Sequence, residues 1–258
     1  MVRHRKYQVN MNFVKTWSDD LAYCLGFITA DGSVDKYSMR IELHRKDEEA
    51  LRFVRDKLSP TSPIKQTHKN KAARLSVNSV ELVKLLNQYN IFPRKTGREK
   101  MPVIPSEFLP SYIRGIFDGD GWVYLRRNSA ECGICSASKT LLEQIRQATV
   151  RKGKVRPRQK KKMTLYQWDL YGSHAVAFRD FIYTGGFSLT RKRERFFSEF
   201  YIPSPSRWTD EQIAYLRNHY RPKTKGCLQA VGSAIGKSRK AVSKKVWELG
   251  LASPICGV

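Results

Sequence analysis

Apolar residues recur along this chain first at helical spacing, then at strand spacing, then at helical spacing again, and the whole series occurs twice. The stretch "YCLGFITADG" (Tyr23 to Gly32) predicts a helix that stops at Asp-Gly. In "YSMRIELHR", Met39, Ile41 and Leu43 alternate with polar and charged residues, which is the period of a half-buried strand. Ala50, Leu51, Val54 and Leu58 then make one face of a helix within "DEEALRFVRDKL". "SPIKQTHKNKAARLSVNS" reads as a two-stranded hairpin, and "SVELVKLLNQY" closes the unit as a helix. The second series runs through "LPSYIRGIF" (helix), "GWVYLRR" and "ECGICSA" (strands) and "SKTLLEQIRQATV" (helix). It ends with the hairpin "KGKVRPRQKKKMTLYQWDLYG" and the helix "SHAVAFRDFIY".

Past the Pro/Ser linker "IPSPS" (Ile202 to Ser206) the pattern changes. "RWTDEQIAYLRNHY" opens with Thr209 and Gln212 at capping-box spacing, "CLQAVGSAIG" is a short helix stopped by Gly236, and "KSRKAVSKKVWELGL" is a third helix with a basic face. The predicted fold is therefore α+β: two pseudo-symmetric αββαββα halves joined through paired helices, plus a small all-α three-helix C-terminal domain. The boundaries fall at a lead-in (1–18), a first half (19–92), a Pro-rich basic linker (93–108), a second half (109–201) and the C-terminal domain (202–258).

The repetition reaches single residues. Tyr23, Gly26, Asp31, Gly32 and Val34 recur as Tyr112, Gly115, Asp120, Gly121 and Val123, all at an offset of 89. Carried into the hairpins, that offset pairs Lys65 with Lys154, Lys69 with Arg158 and Lys71 with Lys160.

Each copy carries small residues four apart, Gly26 with Ala30 and Gly115 with Gly119. At that spacing they share a helix face and permit backbone-to-backbone packing, a plausible return for glycine's cost of about 1 kcal/mol within a helix. Gly32 and Gly121 stand where a left-handed C-terminal cap is expected. If the two helices pack side by side, Asp31 and Asp120 meet at adjoining C-termini, where the helix dipole disfavours negative charge. A cation resolves that conflict, and carboxylates with unpaired helix carbonyls form a hard oxygen set suited to Mg²⁺. A cation held there would supply an activated water and charge for a leaving oxygen.

Charge names the partner class. The 48 Lys+Arg against 23 Asp+Glu give +25, which favours polyanions, and 11% aromatic residues argue for folded basic surfaces rather than a disordered tail. No apolar run approaches the about 20 residues needed to span a bilayer, and the basic N-terminus has no hydrophobic core of a secretory signal. Five scattered cysteines fit a reducing, cytoplasmic setting, with organellar expression left open. The single C-x-x-C, Cys132 with Cys135, lies in a predicted strand with no second pair to complete a zinc site.

At "CLGFITADG" (Cys24 to Gly32) and "IRGIFDGDG" (Ile113 to Gly121) the chain resembles the single-chain, two-motif LAGLIDADG homing endonucleases, over about residues 10 to 200. Thr29 replaces the first signature Asp of one copy, and Arg114 replaces a small residue in the other. The resemblance implies paired signature helices, two sheets forming a saddle on double-stranded DNA, and metal-assisted cleavage of both strands leaving short 3′ overhangs. Asp31 and Asp120, with the carbonyls of Ala30 and Gly119, would hold Mg²⁺ or Mn²⁺. A lysine near the start of the fourth strand of each half would contact water and phosphate, by register Lys71 and one of Lys160, Lys161 and Lys162. A polar residue on the second strand would be Glu42 in one half, where the other has Cys135.

DNA contacts are expected from Lys36, Arg40, Glu42, His44, Lys65, Lys69 and Arg74 in the first half. In the second they are expected from Arg126, Arg127, Arg156, Arg158 and Gln167. The tail resembles Myb-like helix-turn-helix modules, with Ser238, Arg239, Lys240, Ser243 and Lys244 facing DNA. A monomer with two unequal halves would read a long asymmetric site on phage or cellular DNA. Two other readings share this fold: a non-cleaving regulator with a LAGLIDADG core, and a maturase acting on intron RNA.

Overall fold

A computed structural model describes residues 7–126, 129–160, 163–198, 208–222, 224 and 226–251 of the 258-residue chain. They belong to two compact units, residues 1–203 and 204–258. The first unit opens with a short helix α1 (Met11–Lys15) that the sequence pattern did not announce. Then follow α2 (Asp19–Asp31), β1 (Gly32–Val34), β2 (Ser38–His44), α3 (Glu48–Leu58), β3 (Ile64–Thr67), β4 (Ala72–Asn78) and α4 (Val80–Gln88). The second series is α5 (Leu109–Asp120), β5 (Gly121–Arg126), β6 (Ser129–Ser136), α6 (Lys139–Ala148), β7 (Val155–Lys160), β8 (Met163–Tyr171) and α7 (Ser173–Ile182), extended by α8 (Thr190–Phe197). Each half forms a four-stranded antiparallel sheet, in the orders β1-β2-β4-β3 and β5-β6-β8-β7.

Local sequence sets the helix starts. Ser18, Ser79 and Ser138 each accept a hydrogen bond from the backbone N–H three residues on, which satisfies a donor the helix itself leaves unpaired. Along β2 and β4, Met39, Ile41, Ala73, Leu75 and Val77 are buried, and Cys132, Ile134, Trp168 and Leu170 are buried in β6 and β8. These residues join one apolar core with α2 and α5, so alternate residues of every strand turn to the open face. Cys132 and Cys135 accordingly lie on opposite faces of β6, one buried and one half-buried on the open side, which no shared zinc ion can bridge.

Two expectations fail here for definable reasons. Gly32 and Gly121 are extended, with φ of −79° and −83°, because each chain passes straight from helix into strand. Glycine is needed there for space instead: a Cβ would lie 2.5 Å from Ile28 O at Gly32 and 2.4 Å from Phe117 O at Gly121. Second, the offset of 89 does not survive into the hairpins. Ile41 pairs with Leu75 and Ile64 with Leu75, whereas Ile134 pairs with Trp168 and Val155 with Trp168. Lys65 therefore matches Arg156, not Lys154, Arg74 matches Gln167, and Lys71 matches Thr164, not Lys160. The longer β5–β6 and β7–β8 hairpins absorb the difference.

Arg114, the large residue within the second motif, is 1% exposed. Its guanidinium donates to Ile182 O at 2.7 Å, Phe187 O at 2.8 Å and Ser111 Oγ at 3.1 Å, so it ties α5 to the chain leaving α7. The second unit holds α9 (Asp210–His219), α10 (Cys227–Ala234) and α11 (Arg239–Glu248) around Leu216, Val231, Val242 and Val246. The Thr209–Gln212 capping box is formed, and residues 235–238 turn α10 into α11 through Gly236 at φ +67°.

Candidate functional site

Helices α2 and α5 pack backbone to backbone at their glycines. A Cβ on Gly26 would stand 2.0 Å from Tyr112 O, and one on Gly115 would stand 2.2 Å from Tyr23 O. The same packing sets Gly119 against the Ala30 methyl group and the Asp31 carboxylate, which a Cβ at Gly119 would meet at 2.5 and 3.0 Å. Asp31 and Asp120 thus end adjoining helices side by side, each the last helical residue before a strand.

Burial and mutual repulsion both act on this pair. Asp120 is pushed up to about 7, first by burial and then by the Asp31 carboxylate. Asp31 is also raised by burial, with Lys192 and Lys95 pulling it back. Because the carboxylates interact, the upper titration belongs to the pair.

The two lysines beside them carry a second repeat that sequence reading missed. Lys95 Nζ donates to Thr29 O near the end of α2, and Lys192 Nζ donates to Asp118 O at 2.7 Å on α5. Thr29 and Asp118 are equivalent positions in the two motifs. Lys192 also donates to Phe117 O, Gly119 O and Gly121 O at 2.8, 3.1 and 2.7 Å. Both lysines are nearly fully buried, and burial lowers both, Lys192 to about 8. The signal that could have found them is a matching "RK" after each half, Arg94-Lys95 and Arg191-Lys192.

Each lysine sits on a segment that crosses to the other half. Thr190 and Arg191 bind Glu49 and Asp47 at the start of α3, and Arg191 Nη2 donates to Asp47 Oδ2 at 2.8 Å. Symmetrically, Glu99 O accepts from Ser138 at the start of α6, and Met101 N donates to Gln144. Glu99 is buried nearby, and its Oε2 has no hydrogen-bond partner among the described residues.

From each aspartate a row of residues leads across its sheet. Gly32 pairs with Ile41, so Asp31 begins the row Glu42, Arg74, Lys65; Gly121 pairs with Ile134, so Asp120 begins the row Cys135, Gln167, Arg156. Arg40, Glu42, His44, Arg74 and Lys65 share the open face of the first sheet. Glu42 is engaged by Thr67 at 2.7 Å, by Arg74 at 2.7 Å and by His68 at 3.0 Å, and the Thr67 and Arg74 hydrogen bonds hold its carboxyl below the usual range. The His44 ring accepts from Lys46 N. Lys36 and Lys69 are exposed in turns, Lys69 at φ +54°.

On the second sheet Arg158 donates to Gln167 at 2.8 Å, and Gln167 donates to Asp169 at 2.6 Å. Arg126 ends β5 and Lys160 ends β7; Arg127, Lys161 and Lys162 lie outside the described residues. Lys71 stands exposed in the β3–β4 turn, three residues or about 10 Å along β4 from the Asp31 row, and the buried cations beside the aspartates are Lys95 and Lys192.

In the second unit Ser238 caps α11, and Ser238, Arg239, Lys240, Ser243 and Lys244 are all exposed along one groove with Leu228. Lys245, by contrast, turns in toward Trp208 and pairs with Glu248 at 2.6 Å.

The LAGLIDADG-like domain matches residues 18–98 and 107–183, one match for each half. The chain belongs to the LAGLIDADG family. Its resemblance to the Replication factor C small subunit of Methanocaldococcus jannaschii is 25% identity over 246 residues, 90% of this chain and 13% of that protein. It is also 29% identical over 156 residues to the glutamine–fructose-6-phosphate aminotransferase of the same organism, 57% of this chain and 14% of that protein. The chain therefore spans about an eighth to a seventh of the length of these curated relatives. Among solved structures, the I-LtrWI LAGLIDADG homing endonuclease bound to target DNA aligns at a TM-score of 0.51 and 13% identity, covering 89% of this chain and 98% of that one, so the LAGLIDADG fold is shared. No helix among the described residues is long and apolar enough to cross a membrane.

Proposed function

We propose that this LAGLIDADG protein is a site-specific, metal-dependent endonuclease that cleaves both strands of a long asymmetric DNA site. The observation that carries the reading is the Asp31–Asp120 pair at adjoining helix ends, from which two unequal polar rows lead across two open sheet faces. The matched proteins support a module independent of its host. The same kind of segment resembles part of a replication protein and part of an aminotransferase, so neither host activity is carried over.

The carboxylate pair fits a divalent cation, since the half-buried Asp120 is raised by burial and by the Asp31 carboxylate even with Lys95 and Lys192 beside it. A cation held by Asp31 and Asp120 would supply an activated water and charge for the leaving oxygen. The Gly119 carbonyl is a poorer candidate ligand, because Lys192 already donates to it. Lys95 and Lys192 hold the helix ends and keep positive charge beside the carboxylates. Arg40, Lys65, Arg74, Arg156 and Arg158 would meet phosphates and base edges. In the C-terminal unit, α10 and α11 with their short glycine-containing turn would act as a Myb-like helix-turn-helix, α11 entering a major groove.

A second reading rests on one observation. With ammonium groups already on the helix carbonyls, a non-cleaving DNA-binding regulator could keep both acids for structure alone. A cleavage assay on a library of duplex DNA with Mg²⁺ separates the two. The endonuclease reading expects double-strand breaks from the wild type, and nicking or no cleavage with retained binding from Asp31→Asn and Asp120→Asn. Binding without any cleavage by the wild type would establish the regulator.

A further inference from the structure

Matching the two open faces by their pairing, rather than by sequence offset, exposes a chemical inequality beside the two aspartates. In the first sheet the row next to the Asp31 row is Ser33, Arg40, Ser76. Its counterpart in the second sheet is Trp122, Gly133, Asp169. Where one half presents a guanidinium between two hydroxyls, the other presents an indole and a carboxylate on either side of a bare glycine.

The glycine is required by its neighbours. A Cβ at Gly133 would lie 2.9 Å from Trp122 Cζ2 and 2.8 Å from Asp169 Oδ1, so ring and carboxylate both reach over its Cα. The carboxylate is also oriented. Gln167 Nε2 donates to Asp169 Oδ1 at 2.6 Å while its own Oε1 accepts from Arg158 Nη1 at 2.8 Å, which fixes the amide and leaves Oδ2 as the outward acceptor. Asp169 makes no ion pair among the described residues.

An unpaired carboxylate on a face meant for a polyanion is repelled by phosphates and by keto oxygens. It gains only from an N–H donor. In the major groove that donor is the exocyclic amino group of cytosine or adenine, whereas guanine and thymine offer O6 and O4 acceptors to the same atom. The flat apolar indole beside it suits the C5–C6 edge of a pyrimidine. Arg40, in the matching place, has the donor pair that fits guanine O6 and N7.

We propose that the Trp122–Gly133–Asp169 row reads an amino base, cytosine first, while the Ser33–Arg40–Ser76 row reads guanine. Asp169 is then a specificity residue that breaks the pseudo-symmetry of the target. This rests on the DNA-binding reading above.

The test is selection of randomised duplex DNA by the full chain without divalent metal, followed by sequencing of the bound pool. The wild type should enrich C or A at one position of one half-site and G at a position in the other. Asp169→Asn, which puts an N–H donor in place of the outward oxygen while Oδ1 keeps the Gln167 bond, should lower the enrichment of cytosine by about tenfold in favour of bases that offer an acceptor there, and leave the rest of the motif in place. Asp169→Ser, the residue of the other half, should erase that preference without creating a new one. Arg40→Ala should lose only the guanine. An Asp169→Asn pool identical to the wild-type motif overturns the assignment while the DNA-binding reading stands; a wild type that enriches no sequence overturns both.

Discussion

Lys192 donates through Nζ to the carbonyl oxygen of Gly119 at 3.1 Å, the carbonyl that sequence resemblance offers to a metal ion. The ammonium thus completes the end of α5 and supplies charge to the acid pair in one stroke. Lys192→Met should cut cleavage by on the order of a hundredfold while leaving DNA affinity within a few fold. It should also move the acid limb of the pH–rate profile upward, because Lys192 is one of the charges that restrain the Asp120 titration near 7. A profile whose acid limb does not move would mean that Lys192 serves the helix end alone.

Asp120 is expected to cost stability at neutral pH. Its folded-state value near 7 lies above the ordinary 3.8, so the folded chain binds the extra proton between those values and loses stability as pH rises through that window. Asp120→Asn should therefore be more stable than wild type above pH 7, by about 2 kcal/mol once solvent screening is allowed for, and equal to it near pH 3. Mg²⁺ should close the gap, stabilising the wild type by about 2.7 kcal/mol at a hundred times its Kd and leaving Asp31→Asn/Asp120→Asn unmoved. Denaturant midpoints across pH, with and without Mg²⁺, decide both points.

The helix pair and its acids were legible because helix packing is written in glycine spacing and duplicated at a fixed offset. Lys95 and Lys192 were not: Lys95 lies in an irregular connection and Lys192 in the short helix α8 beyond the repeated series, and the path of each segment to the other half depends on tertiary contacts such as Arg191 with Asp47. The match of Lys71 to Lys160 failed for a related reason. Insertions in the second half's hairpins shift the offset, and only strand pairing reveals that Arg74 stands opposite Gln167 in the repeat. Gly32 and Gly121 show the same limit: their need for glycine was visible, but its cause is a steric contact and not a left-handed cap.

Gly26→Ala should destabilise the first unit although alanine is the better helix former. The new Cβ would sit 2.0 Å from Tyr112 O, a backbone atom that cannot rotate away. The propensity gain of about 1 kcal/mol is outweighed by forced separation of the helices, for a net loss of about 3 kcal/mol. Gly115→Ala should behave alike through Tyr23 O. Unchanged urea midpoints for both variants would contradict the packing.

Lys65 and Arg156 occupy equivalent places at the outer ends of the two rows. If both neutralise phosphates, Lys65→Ala and Arg156→Ala should each weaken binding to all sequences alike and reduce the slope of log Kd against log salt by about 1. A change of base preference with an unaltered slope would instead place that side chain against a base edge.

The C-terminal unit has its own small core of Leu216, Val231, Val242 and Val246, and its exposed cations line the start of α11. Removing residues 204–258 should therefore leave the first unit folded, with the Tm of its transition preserved, and shorten the DNase footprint on one side only. The affinity lost should be recovered in part by lowering salt, since phosphate contacts dominate such modules. Lys240→Ala/Lys244→Ala in the full chain should reproduce most of that loss, because both lysines lie on the exposed face while Lys245 is spent against Trp208 and Glu248. An unchanged footprint and affinity after truncation would show that this unit does not contact the target, and would move its basic face to another partner.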